Sequence, residues 1–418
     1  MRIVVVAVGT RGDVEPHAAL CAGLQRAGYD ACLCAADDFA CSVAAQGIPV
    51  HPIPVSFRKL CESEAGSALL ASGGNGIRLL RSLGRLAADV AAQVIVAVRD
   101  ACREADAVCY SPLGLPAFYF ARELGIPAFA TSLQPFGRTG EYGCPVLPLP
   151  NGTPGPLNRF SYQLIEQMFW QIARPLLRRH VRNPLPFWRH YDALYRHSLP
   201  VLFGYSPLVV PRPRDWKPWM HATGYWRMCK TPPPLPDDLE DFLAAGPAVC
   251  FGFGSMHSRR IGPIFDAAIE MLAATSRRGV ILTGWSGYER RSLERDGNIF
   301  VTDHVPHDSI FPRMSAVVHH GGAGTTAAAL RAAVPSVILP FFFDQGFWGR
   351  WLASRGLGPP PIAFGHCSAP VLAEALDLTE TSQDMRCRVQ VLGSRLRQED
   401  GVSRAVAIIG DALDKIRK

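Results

Sequence analysis

Apolar and polar positions change rhythm in blocks along this chain. Residues 3–8 form an unbroken apolar run, and 14–27 follow with Ala18, Leu20 and Leu24 at helical spacing. A strand that is apolar at successive positions is covered on both faces, because its side chains alternate between them. The same reading predicts strands over 31–35, 50–54, 107–110 and 128–131, with helices over 77–103 and 116–124. The alternation returns later, with strands over 248–253, 280–283, 298–302, 315–318 and 336–339. Helices are predicted over 261–275 and 323–333, and helix throughout 384–418. Strands that alternate with helices predict a parallel sheet with helices on both faces.

Between the two blocks the rhythm breaks. Residues 131–213 begin as a loop rich in proline and glycine and then turn helical and aromatic. The stretch 211–236 carries seven prolines and reads as a linker. The expected organisation is an α/β domain over 1–210, a linker over 211–236, a second α/β domain over 237–395, and a C-terminal helix over 396–418 that packs back on the first domain. Two doubly wound domains of this kind place a ligand cleft between them.

Length and composition agree with that plan. At 418 residues the chain exceeds one ordinary core, and 48% hydrophobic against 19% charged residues provides ample material for burial. The net charge of +7 is mild for this length and lacks the concentrated stripe of a nucleic-acid binder. The densest basic segment carries Arg174, Arg178, Arg179, Arg182 and Arg189 beside Phe187, Trp188 and Tyr191. It reads as a solvated face beside a cleft, or as contact with a membrane surface or lipid-like substrate. The twelve cysteines show no metal-type spacing. Several, such as Cys32, Cys34, Cys109 and Cys250, fall in apolar patterns, as reduced core cysteines of a cytoplasmic protein do. The first apolar run leads straight into Gly9 without a cleavage site and reads as a buried strand, and no apolar stretch is long enough to span a bilayer.

The candidate chemistry sits where strands end. His319, His320, Gly321, Gly322, Ala323, Gly324, Thr325 and Thr326 follow one strand and open a helix. A glycine-rich turn at a helix start presents backbone N–H groups to a phosphate, and His320 can add a hydrogen bond or a charge. Gly252, Phe253, Gly254, Ser255 and Met256 form a second such turn, where Ser255 can offer a hydroxyl. Asp344 and Gln345 stand just past the apolar segment 334–343, placed to hold a sugar beside a pyrophosphate; Asp344 could equally cap the following helix. At the end of the first strand, Asp13 is either a carboxylate base beside the cleft or a helix N-cap. His17, one turn on, reads as a helix residue lining the cleft. No two aspartates are separated by a single residue, so the common Asp-x-Asp device for a metal-bound diphosphate is absent.

Taken in order, G-T-R-G-D-V-E-P, G-F-G-S-M, V-P-H-D-S-I-F-P, H-H-G-G-A-G-T-T and P-F-F-F-D-Q-G-F-W-G resemble the inverting nucleotide-sugar glycosyltransferases of GT-B fold. The branch they resemble holds the sterol glucosyltransferase-like enzymes and bacterial natural-product glycosyltransferases. The likeness spans the chain apart from 55–80 and 131–213. It implies two Rossmann-like domains facing a cleft, with Asp13 as general base and His320 on the donor phosphate. Gly254, Ser255, Gly321, Gly322, Gly324 and Thr325 would hold the diphosphate, and Asp344 and Gln345 the sugar. His304 and the Val305 backbone would hold the nucleobase; many relatives have Trp where His304 stands, which leaves uridine and thymidine both open. The resemblance implies a UDP- or dTDP-sugar donor, UDP-glucose favoured, a lipophilic acceptor such as a sterol, triterpenoid, polyketide or macrolide, no metal and no other cofactor. The rival readings are an epimerase or hydrolase of the same fold and a non-catalytic auxiliary relative.

Overall fold

The computed structural model of the chain describes residues 1–63, 76–149, 154–182, 185–188, 191–192, 199–228, 231–254, 261–284, 288 and 297–417. The first lobe is built on β1 (Arg2–Ala7), β2 (Asp30–Ala36), β3 (Val50–Ile53), β4 (Ala107–Tyr110), β5 (Ala128–Ser132), β6 (Val201–Phe203) and β7 (Met220–Ala222). They form one sheet in the order β3-β2-β1-β4-β5-β6-β7, every pairing parallel. Its helices are α1 (Arg11–Arg26), α2 (Asp37–Ala44), α3 (Phe57–Glu62), α4 (Gly76–Cys102), α5 (Pro116–Leu124) and α6 (Pro156–Leu177). The second lobe has β8 (Ala248–Gly252), β9 (Arg278–Leu282), β10 (Ile299–Thr302), β11 (Met314–His319) and β12 (Ser336–Ile338), ordered β10-β9-β8-β11-β12 and again parallel. Around it lie α7 (Asp237–Ala244), α8 (Ile261–Thr275), α9 (His307–Ile310), α10 (Ala323–Arg331), α11 (Gln345–Ser354) and α12 (Ala369–Thr381), followed by α13 (Gln383–Arg397) and α14 (Gly401–Arg417).

The unbroken apolar run of β1 now has its reason. Ile3, Val5 and Ala7 pack with Leu20 and Leu24 of α1 and with Ala405 and Ile409 of α14. Val4 and Val6 face the other way, toward Val94 and Val98 of α4 and Phe118 of α5. Neither face meets water, so neither tolerates a polar residue. Cys32, Cys34 and Cys109 are buried free thiols in these same layers, and Cys250 is one in the core of the second lobe. Among the described residues no helix is long and apolar enough to cross a membrane.

Three expectations need correction. The span 211–236, read as a linker, contains β7, which pairs with β6 as the last strand of the first sheet. Both strands are three residues long, too short to display a period of two. Residues 384–418 are two helices, since α13 ends at Arg397 and α14 begins at Gly401. Finally, α1 starts at Arg11, three residues before the apolar pattern becomes visible.

The lobes share a core. Tyr142, Phe203, Tyr205 and Trp216 of the first lobe cluster with Phe347, Trp348, Trp351 and Leu392 of the second. The Trp351 indole N–H donates to Val209 O at 2.8 Å. Burying one such large apolar side chain contributes about 1.5–3 kcal/mol, so this shared core contributes to the packing of one lobe on the other.

Candidate active site

Asp13 occupies the third position of α1, behind Thr10 as N-cap. It is therefore not the N-cap. The Thr10 backbone N–H donates to Asp13 Oδ2 at 3.0 Å, and this acceptor with the positive helix end favours the ionised carboxylate. Burial opposes both and prevails, pushing the Asp13 carboxyl up to about 6, with the charge of Asp344 adding to the rise. Gly9, at φ +149°, makes room for the carboxylate: a Cβ there would overlap Asp13 Oδ2. Gly9→Ala is therefore expected to displace the base, and to lower kcat at least tenfold with little change in donor affinity. Measuring kcat and the donor Kd of this variant checks that; an unchanged kcat shows that the carboxylate position does not matter.

His17 does not line the cleft. It is fully buried, edge-on to Trp226 at 5.5 Å. Its Nδ1 lies 2.6 Å from Asp13 O and its Nε2 2.8 Å from Thr131 Oγ1, which is 2.9 Å from Tyr110 O. Burial pushes the imidazole down to about 4, so it is neutral. The Asp13 carbonyl at Nδ1 can only accept, which assigns the proton to that nitrogen. His17 thus fixes the backbone of Asp13 rather than exchanging protons with substrate.

On the second lobe, β11 delivers His319 and His320 to the turn. The first histidine shapes the turn, because His319 Nδ1 accepts the Gly321 N–H at 3.0 Å in a fully buried position. The second faces outward. His320 packs over Gly322, where a Cβ would overlap Nε2, and a Cβ on Gly254 would come 3.6 Å from Cε1. The two glycine turns therefore meet at this ring. Burial, helped by His307, pushes His320 down to about 4. Of the two contributions expected from the sequence, a neutral ring could offer a hydrogen bond to an anion but no charge. Gly322 is the N-cap of α10; the helix's first intrahelical bond, Thr326 N–H to Gly322 O, leaves the preceding N–H groups available to an anion. Gly324 is exposed with open space beside it, and Thr325 is half-buried. Ser255 lies outside the described residues.

Asp344 precedes α11, but its side chain caps no backbone N–H. Its Oδ2 accepts the Trp348 indole N–H at 2.9 Å, and burial pushes its carboxyl up to about 6. Gln345 Oε1 accepts from Phe341 N at 2.7 Å and Phe342 N at 3.3 Å. Its carbonyl end holds the loop, which leaves the amide nitrogen as the end for a ligand. Val305 is buried with its side chain in the core beneath the sheet, so only its backbone could read a base. His304 is exposed, and its Nε2 lies 3.2 Å from Arg11 Nη1. Arginine can only donate, so this nitrogen accepts and His304 is neutral.

Several contributors escaped the sequence reading. Arg11 crosses the cleft to His304. Phe343, at φ +59° beside Asp344, meets Phe136 edge-on at 5.6 Å and Phe169 of α6 at 6.2 Å. No local signal singles out Arg11 or Phe343, because their partners lie in the other lobe, whereas Phe136 and Phe169 belong to the aromatic segment 136–188 that the sequence offers as an acceptor wall. Among the described residues no three His, Cys, Asp or Glu side chains group so as to hold a metal.

Two parallel-sheet lobes, with a buried carboxylate at a strand end of the first and a glycine-rich turn at a helix start of the second, are the GT-B architecture. The comparisons with known proteins agree. Residues 3–134 match the glycosyltransferase family 28 N-terminal domain, and 286–390 the erythromycin biosynthesis protein CIII-like C-terminal domain. A sterol 3-beta-glucosyltransferase of Arabidopsis thaliana is 32% identical over 97% of this chain and 67% of its own length. One from Cryptococcus neoformans is 30% identical over 98% of this chain, which spans only 27% of that relative's length. The kitacinnamycin glycosyltransferase superposes with a TM-score of 0.72 at 19% identity, covering 99% of both chains. Spinosyn rhamnosyltransferase SpnG, complexed with thymidine diphosphate, gives 0.62 at 16%, covering 98% of this chain and 100% of its own. These two likenesses show the fold. The chain belongs to the GT-B glycosyltransferases of the family 1 type. Within that class it is similar to the sterol 3-beta-glucosyltransferases.

Proposed function

We propose that the protein moves a hexose from a UDP- or dTDP-sugar to a hydroxyl of a lipophilic acceptor, with inversion and without a metal ion. One observation carries this reading: the start of α1, which holds Asp13, meets the second lobe, with Arg11 Nη1 3.2 Å from His304 Nε2. As the acceptor oxygen attacks the anomeric carbon, its proton passes to Asp13. The bond from that carbon to the diphosphate breaks on the opposite face, and the electron pair leaves with the nucleotide diphosphate. The growing negative charge meets N–H groups at the start of α10 and the His320 ring, which need not reorganise. The Gln345 amide and the free oxygen of Asp344 would hold the sugar hydroxyls. Phe136, Phe169 and Phe343 would form part of the acceptor wall, their apolar faces suited to a lipophilic scaffold. The names of the sterol 3-beta-glucosyltransferase relatives support glucose and an apolar alcohol, and thymidine diphosphate in the rhamnosyltransferase supports a nucleotide diphosphate.

Incubation with a panel of nucleotide sugars and lipophilic alcohols, read by mass, is expected to give an acceptor heavier by one hexosyl unit. Free sugar released at the same rate without acceptor would replace transfer by hydrolysis. Chelator treatment should leave turnover within about twofold, because N–H donors and a neutral histidine carry the leaving-group charge. A strict requirement for a divalent ion would remove the metal-free part of the reading.

A further inference from the structure

Helix α6 presents two contrasting faces. Asn158, Ser161, Tyr162, Ile165 and Trp170 are buried, and Phe169 reaches Phe343 beside Asp344. The other face carries Leu157, Phe160 and Leu164, with exposures of 77%, 58% and 43%. Positions three and four apart stack on one side of a helix. The stripe continues through Gln167 and Gln171, whose amide groups both donate to Phe187 O, at 2.9 and 2.8 Å. Those bonds set Phe187 and Trp188, 49% and 65% exposed, at the end of the stripe. Five large apolar side chains thus stand in water along one helix and its adjoining loop. Single exposed apolar residues are ordinary; a contiguous row is not.

The charge beside the row has one sign. Arg159, Arg178, Arg179 and Arg182 are exposed, and Arg174 lies over the Phe187 ring at 5.3 Å. Between 156 and 188 the sequence holds one acid, Glu166, and it is paired with Arg138. From the neighbouring helix, Glu123 accepts the Arg182 backbone N–H at 2.6 Å. A second copy of this chain on the same face would bring arginine against arginine. A surface of phosphodiester headgroups over hydrocarbon matches both features at once.

We infer that the outer face of α6, with Phe187 and Trp188, docks the protein on anionic phospholipid membranes. The apolar row enters the boundary between headgroups and acyl chains while the arginines bind phosphates, as in helices that lie in the interfacial plane. The inference rests on the lipophilic-acceptor reading for its purpose. The acceptor wall at Phe169 and the lipid surface at Leu164 would be separated by roughly one helix diameter, about 10 Å, so an apolar alcohol would enter without crossing bulk water.

The test is co-sedimentation of the full chain with phosphatidylcholine vesicles, with and without phosphatidylglycerol. Binding is expected with phosphatidylglycerol, with weakening in high salt. The variant Leu157→Ser/Phe160→Ser/Trp188→Ser should bind at least tenfold more weakly, and Arg178→Glu/Arg179→Glu by about an order of magnitude or more. Turnover with a water-soluble acceptor should not change in either variant. Unaltered thermal unfolding verifies that these surface changes leave the fold intact. No binding to either vesicle overturns the inference, as does binding that the apolar variant leaves untouched, which is mere adsorption of a cationic protein. A dimer in sedimentation velocity that the apolar variant dissociates overturns it too, and assigns the face to self-association. Absence of turnover with every acceptor would fell the transferase reading alone, because vesicle binding requires no catalysis.

Discussion

Asp13→Asn is expected to lower kcat by roughly three orders of magnitude and leave the Kd for UDP or dTDP within about twofold. The substitution keeps the shape of the side chain and its acceptor oxygen for the Thr10 N–H, 3.0 Å away in the native protein. It removes only the ability to take a proton. The proposed donor contacts lie on the other lobe, so the nucleotide should bind as before. The pH profile provides a second readout. Burial pushes Asp13 up to about 6, so below that pH the carboxyl is protonated and cannot act as a base. Activity at limiting substrate should therefore rise through about pH 6 and level off above it. Asp344 is also pushed up to about 6, which makes the variant informative. If the residual activity of Asp13→Asn still rises through the same range, the limb belongs to Asp344 and Asp13 is not the base. Turnover near the wild-type level would do the same.

His320→Ala is expected to cost about 10²–10³-fold in kcat, the usual loss when one preorganised donor to a developing anion is removed. Affinity for the nucleotide diphosphate should fall less, because the backbone N–H groups at the start of α10 remain. Stability should hardly move. Among the described residues the buried His320 Nδ1 has no hydrogen-bond partner, so its removal leaves none of them newly unpaired, and Tm should stay within about 2 °C. The neighbouring His319→Ala should behave in the opposite way. It strips the Gly321 N–H of its acceptor in a fully buried place, so unfolding should come earlier. Equal losses of stability in the two variants would mean that both histidines are structural, and the donor role of His320 would fall.

The helix and strand order was legible because it rests on local periodicity. β1, α5, α8 and β4 lie within a residue or two of where their apolar patterns put them. The place of the glycine-rich turn was legible for a different reason: closely spaced glycines between an apolar run and a helical pattern mark the passage from strand to helix start. Its internal division of labour was not visible. Nothing in the adjacent pair His319 and His320 says that one holds Gly321 and the other faces the cleft. Nor does the spacing of Asp13 and His17 reveal that the histidine is buried against Trp226, a residue of another segment altogether.

Parallel α/β lobes and the place of the glycine turns follow from the order of residues alone, since each depends on neighbours a few positions apart, whereas that order leaves Asp13 open between base and helix cap. Whether Asp13 titrates near neutrality, whether His304 meets Arg11, and whether the outer face of α6 stays bare depend on groups brought together from distant parts of the chain. Desolvation and charge act through space, and only the packed molecule sets those distances.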